Sequence, residues 1–272
     1  MAEGAQLSNL SARLLTAAGL APLLILAIRW SNPIAVWALV MLATSLALRE
    51  YFAITTAVAI ERGFGIVLGV GYAALLYWVD NIAVAAGAGV VVTAFGFYLF
   101  RSGDDIKTAI ARVGTTAYGV LYCALLTYIA LLKRDHGDRG GAWVFLLLTV
   151  TWFGDTGAYA AGRIAGRHKL YPKVSPGKTW EGAVGGLAGS FAAAALAHVW
   201  YMPWLGWGHA AALSLPAGAL GQVGDLCESL LKRAYGVKDS GVLLPGHGGL
   251  LDRIDGVLFA APYVYFYARW AF

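Results

Sequence analysis

The sequence predicts an all-α, polytopic transmembrane helical bundle with about nine spanning helices, on three observations. Of 272 residues, 59% are hydrophobic and only 13% charged, against about 25% charged in an ordinary soluble domain. The mean hydropathy of +0.66 is that of a polytopic membrane protein rather than a soluble enzyme. Apolar runs near the roughly 20 residues that cross a hydrocarbon core recur at 10–28, 33–48, 64–79, 82–100, 113–132, 142–161, 182–201, 210–231 and 254–270.

The first run leads straight into the second, so it reads as a retained helix and not a cleaved signal. Trp30, Trp37, Trp78, Trp204, Trp207 and Trp270 lie near run ends, where aromatic rings anchor at the interface. Gly65-x-x-x-Gly69, Gly182-x-x-x-Gly186 and Gly185-x-x-x-Gly189 let helices approach closely, within the chain or across a dimer. Cys123 and Cys227 stand in apolar runs without a CxxC pattern, so both read as reduced small hydrophobes. The chain divides into N-terminal transmembrane helices at 1–110 and a C-terminal transmembrane catalytic region at 111–272, with polar loops 163–181 and 232–253.

Charge sets the expected orientation. With each run crossing once, 15 of the 20 Lys and Arg fall on one side and 5 on the other, and the richer side is expected in the cytoplasm. Setting aside Lys178, Lys232, Arg233, Lys238 and Arg253 as candidates for chemistry still leaves 10 against 5. The cationic excess therefore fits membrane topology, and nucleic acid is not expected as a partner. Both polar loops fall on the cytoplasmic side of this scheme.

Three constellations carry the chemistry. Asp225 and Glu228 stand at i, i+3 near the end of the 210–231 run, on one helix face, and Asp252 and Asp255 repeat that spacing at the start of the last run. Carboxylates beside membrane segments are functional candidates. Two such pairs suit a hard cation such as Mg²⁺, whereas nothing resembles a zinc ligand set; salt bridges to Lys232, Arg233 and Arg253 are the plainer alternative. The second constellation is Ser175-Pro176-Gly177-Lys178-Thr179, read as a turn at Pro176-Gly177 leading into a helix whose N–H groups, lysine and hydroxyls suit phosphate oxygens. It lacks the leading glycine of a Walker loop, and a capped helix entry with Glu181 nearby is the plainer reading. In the third, Asp155 lies among small residues in an apolar run, where it binds substrate or pairs with a loop cation.

His136, His168, His198 and His209 read as ordinary loop or helix residues. His247, flanked by glycines in the densest polar stretch, is placed to donate to a phosphate or leaving group. The set as a whole suits phosphoryl or nucleotidyl transfer. No HExxH, nucleophile elbow or dinucleotide loop is present.

The stretch 229–255 resembles the signature of phosphatidate cytidylyltransferases through Ser229, Lys232-Arg233, Lys238-Asp239, His247-Gly248-Gly249, Asp252-Arg253 and Asp255. Asp155, the 175–182 loop and Gly224-Asp225 through Glu228-Ser229 also look like elements of that family. The resemblance implies a membrane enzyme that condenses CTP with phosphatidic acid, needs Mg²⁺ (a second cation is left open) and is often a homodimer. It implies Asp225, Glu228 and Asp252 as metal ligands. Asp155, Ser175, Lys178, Thr179 and Lys238 would bind substrate, and Lys232, Arg233, His247, Arg253 and Asp255 would be catalytic. The rival readings are a cytidylyltransferase for another lipid phosphate, such as an isoprenoid ether lipid, and an ion-coupled transporter; the latter would need repeated broken helices, and no internal symmetry is visible.

Overall fold

In the computed structural model, which describes Ile28 and residues 32–101, 106–243 and 248–272, the chain is a helical bundle with one short hairpin. The helices are α1 (Pro33–Thr55), α2 (Ala59–Trp78), α3 (Ala83–Arg101), α4 (Ile106–Ala124), α5 (Thr127–Asp135) and α6 (Gly140–Ala165). After strands β1 (Lys169–Tyr171) and β2 (Ser175–Thr179) come α7 (Trp180–Trp200), α8 (Trp207–Ala234) and α9 (Leu251–Ala271).

Among the described residues, six segments are long and apolar enough to cross a membrane: α1, α2, α3, the α4–α5 pair, Gly137–Ala165 and α7. The count of about nine is not reached, for two reasons. The expected span 10–28 lies outside the described residues except for Ile28. The expected spans in α8 and α9 form as helices of 28 and 21 residues, but Asp225, Glu228, Lys232, Asp252, Arg253 and Asp255 lower their hydropathy. The expected span 113–132 is built from α4 and α5, which join at Leu125 and Leu126.

Small residues set the packing. Gly69 leaves room for Leu48, whose Cδ1 would lie 2.7 Å from a Cβ there, and Gly65 faces the ring of Phe52. α6 and α7 meet backbone to backbone, since a Cβ on Gly157 would lie 2.5 Å from Gly185 O and one on Gly186 would lie 3.2 Å from Gly154 O. The glycine faces read from sequence are thus consumed inside the chain. Ser190, fully buried, bonds Val150 O at 3.0 Å across the same interface. Cys123 is buried and Cys227 half-buried, and both are free thiols.

One expectation is corrected. Pro176-Gly177 is not the turn: both lie in β2, which pairs antiparallel with β1, and the chain reverses at Pro172–Val174 instead. The hairpin is held from both sides, with Trp180 N donating to His168 O at 2.9 Å and Glu181 folding back onto Arg167 N at 3.1 Å. The helix entry itself is as read: Thr179 caps α7, its Oγ1 accepting from Gly182 N at 3.1 Å.

The two polar loops come together at one end of the bundle. Arg233, at the end of α8, reaches Val174 O in the hairpin turn (3.4 Å) and Val237 O in its own loop (3.2 Å). The opposite end carries a separate network, in which Arg134 meets Asp80 at 2.9 Å and Asp135 at 2.6 Å, and Tyr265 donates to Asp135 at 2.6 Å.

Candidate active site

Close packing of α6 on α7 brings the C-terminal half of α6 beside the hairpin and the first turn of α7. The end of α8 completes a cavity of about 430 Å³, lined by Asp155, Tyr159, Arg163, Ser175, Lys178, Thr179, Gln222 and Asp225 among others. That volume is in the range of small-molecule sites. Because the N-terminal turn of α7 opens onto it, the cavity carries the positive end of a helix dipole as well as Lys178.

Lys178 Nζ lies 2.6 Å from Asp225 Oδ2. The ammonium is buried, yet it makes no hydrogen bond of good geometry. The pair is a charge contact at the cavity wall, where the ammonium can also face an anion. Gln222, one turn before Asp225, donates to Ala183 O at 3.1 Å and so fixes α8 against the start of α7. Ser229 Oγ lies 3.4 Å from Asp225 Oδ1.

A second cluster stands at the junction of α8 and α9. Lys232 Nζ is 2.5 Å from Glu228 Oε2 and 2.6 Å from Asp252 Oδ1, with all three side chains nearly out of solvent. The other oxygen of Asp252 accepts from Ser240 N and Gly249 N, each at 2.9 Å. Gly248 has φ of +80°, which favours glycine, and a Cβ there would also press on Asp252 Oδ2 at 3.0 Å. Glu228 is 1% exposed and leans on Lys232 and on the carboxyl of Asp252, with no backbone donor of its own among the described residues.

The sequence-derived residues thus separate. Asp155, Ser175, Lys178, Thr179 and Asp225 share the cavity. Glu228 and Asp252 turn to Lys232, while Arg233 ties the loops together. Lys238 is exposed, and Arg253, also exposed, acts through charge on Asp155. Asp255 accepts from its neighbour Gly256 N at 2.7 Å, and Asp155, Asp225 and Asp255 feel one another's charge. His247 lies outside the described residues. Among those described, no three His, Cys, Asp or Glu side chains form a metal-holding group. Asp225, Glu228 and Asp252 do not fit a shared cation as they stand, because ammonium groups already occupy their inner oxygens.

Tyr159, Arg163 and Gln222 were not read from sequence. Gln222 had a signal, its i, i+3 spacing from Asp225. Tyr159 and Arg163 had a weaker one, one and two turns beyond Asp155; Arg163 donates to Tyr159 Oη at 2.9 Å.

Comparison with known proteins adds the family. The profile of the cytidylyltransferase family matches residues 11–271. A phosphatidate cytidylyltransferase of Brucella suis is 42% identical over 154 residues, 57% of each chain. One from Bacillus subtilis is 38% identical over 155 residues, 57% of this chain and 58% of its own. One from Staphylococcus aureus is 45% identical over 130 residues, 46% of this chain and 48% of its own. The matched stretch therefore spans about half the length of these relatives.

Proposed function

Because the chain belongs to the cytidylyltransferase family, we propose that it is a membrane-embedded CTP:phosphatidate cytidylyltransferase, the activity named for the relatives above. The observation that carries this reading is the cavity where Lys178, Thr179 and the first turn of α7 face Asp155 and Asp225. It offers an anion cradle beside carboxylates, at the end of an apolar bundle from which a lipid phosphate can approach. A lipid phosphate oxygen attacks the α-phosphorus of CTP, the bond to the β-phosphate breaks, and pyrophosphate leaves. The lipid phosphate is already anionic near neutral pH, so orientation and charge neutralisation are the protein's main tasks.

Lys178 and the α7 N-terminus would hold CTP phosphates, while Ser175 and Thr179 line the same wall. Lys232 and Arg233 would act at the rim: the first holds Asp252 and the second keeps the hairpin against the loop. Mg²⁺ is part of the reading. Asp225, Glu228 and Asp252 were the ligands expected for it, and in their present arrangement lysines hold all three; the ion would offset the negative charge of the triphosphate. Lys238, Arg253 and His247 remain proposed phosphate or leaving-group contacts. The cytoplasmic membrane, with this end of the bundle facing the cytoplasm, follows from the cation distribution. A homodimer belongs to the same reading and would have to use faces other than the buried glycines.

The test is to incubate the purified chain in detergent with CTP, phosphatidic acid and Mg²⁺, and to assay CDP-lipid and pyrophosphate. Equal amounts of both products are expected; neither product across varied metal and lipid conditions refutes the proposal. Activity only with an isoprenoid ether phosphate would move the substrate and keep the reaction.

A further inference from the structure

Glu50 stands near the end of α1, in the half of the chain that carries none of the signature residues, yet its carboxylate reaches the start of α9. Oε1 accepts from Leu250 N at 2.9 Å, Oε2 accepts from Leu251 N at 2.8 Å, and Ser240 Oγ lies 3.3 Å from Oε2. The residue is 9% exposed. Its partners are neutral donors at a helix N-terminus, where the dipole favours a negative charge. α9 has no cap of its own, because Leu250 fills the capping position and makes no side-chain cap bond. Glu50 supplies the cap from 200 residues away.

Two glycines give the carboxylate its room. A Cβ on Gly241 would lie 2.7 Å from Glu50 Oε1, and one on Gly249 would lie 2.7 Å from Oε2 and press on Ser240 Oγ. The second glycine of the His-Gly-Gly signature is thereby explained by Ser240 and by a residue in the N-terminal half together. The same loop ends hold Asp252: Ser240 N and Gly249 N donate to it, and Ser240 Oγ accepts from Asp252 N at 3.3 Å. Glu50 and Asp252 grip Ser240 and the 249–251 backbone from two sides.

We infer that Glu50 is a positioning residue for the transfer reaction. It fixes where the loop re-enters α9, and so where Asp252 and Asp255 stand against α8. It does not line the cavity and acts only through Ser240 and residues 249–251. The kinetic part of this inference rests on the functional reading above; the structural part does not.

The test uses the full chain in detergent, comparing wild type with Glu50→Gln. Amide exchange read by mass spectrometry should accelerate about tenfold or more at Ser240, Gly249, Leu250 and Leu251, as expected for losing charge-assisted hydrogen bonds, with α2 and α3 unchanged. In the same variant, kcat for CDP-lipid formation should fall about tenfold or more, while KM for CTP stays within about threefold. Gly249→Ala, which presses on Ser240 Oγ and on the carboxylate without removing its charge, should reproduce both effects. Ser240→Ala, which removes one of the three donors, should give a smaller version and serves if Glu50→Gln does not fold. Unchanged exchange in these variants overturns the inference whatever the activity, and so does faster exchange with wild-type kcat. A wild-type chain that makes no CDP-lipid refutes the functional reading instead, and the exchange comparison then decides by itself whether Glu50 holds the loop.

Discussion

Replacing Lys232 with Met tests whether the α8–α9 junction is an ion cluster held by one ammonium. The side chains of Lys232, Glu228 and Asp252 are 12%, 0% and 7% exposed, so solvent screening does little to discount the loss. Removing one partner of a buried ion pair costs about 3–5 kcal/mol, because the other charge remains uncompensated. Here the cost divides unequally. Asp252 keeps two backbone donors at 2.9 Å, whereas Glu228 keeps only its contact with Asp252, another carboxyl group. Most of the penalty therefore belongs to Glu228, and adding Glu228→Gln to Lys232→Met should recover more than half of it. At roughly 2–4 °C per kcal/mol for a chain of this size, the single variant should melt about 6–20 °C lower in detergent. Tryptophan fluorescence during heating or denaturant titration reads this directly. A Lys232→Met midpoint equal to wild type, or a double variant no better than the single, would refute the reasoning.

Lys178→Met and Asp225→Asn should each lower turnover by about a hundredfold or more by removing a charge from the cavity, and Asp225→Asn, which leaves the buried Lys178 ammonium without its counter-charge, should cost more stability than Lys178→Met; radiolabelled CTP turnover and melting separate the two effects. Gly157→Ala should cost about 1–3 kcal/mol, since its Cβ would sit 2.5 Å from the backbone oxygen of Gly185. Gly71→Ala, with nothing within 4 Å of the added carbon, is the control and should melt within a few degrees of wild type. Thr179→Ala should cost about 0.5–2 kcal/mol through loss of the α7 cap, and Thr179→Ser should retain most of it, as measured by denaturant titration.

The fold class and the location of the site were legible because charge is scarce in this chain. In a sequence so apolar, Lys178, Asp225, Lys232 and Asp252 stand out, and the parity of the spans put both polar loops at one end, where Arg233 indeed joins them. Pairing was harder to read. Spacing placed Asp225 and Glu228 on one face of α8, but spacing does not say that Lys232 turns to Glu228 and Asp252 while Asp225 turns to Lys178; that depends on how α9 crosses α8. Ser-Pro-Gly read locally as a turn, and the strand it forms instead is held by contacts with His168 and Arg167 across the hairpin. Glu50 was invisible for the same reason at longer range. Beside Arg49 at the end of an apolar run it looks like an interfacial charge, and its partners lie 190 to 201 residues further on.

The most direct measurement follows two labels in CTP. Purified protein, phosphatidic acid and Mg²⁺ are incubated with CTP labelled at the α- or at the γ-phosphorus, and the organic phase is counted. Nucleotidyl transfer in the α6–α8 cavity predicts that the α-label enters the lipid, that the γ-label stays in water as pyrophosphate, and that Lys178→Met abolishes the lipid signal. Entry of the γ-label into the lipid, or no lipid label from either position, would contradict it.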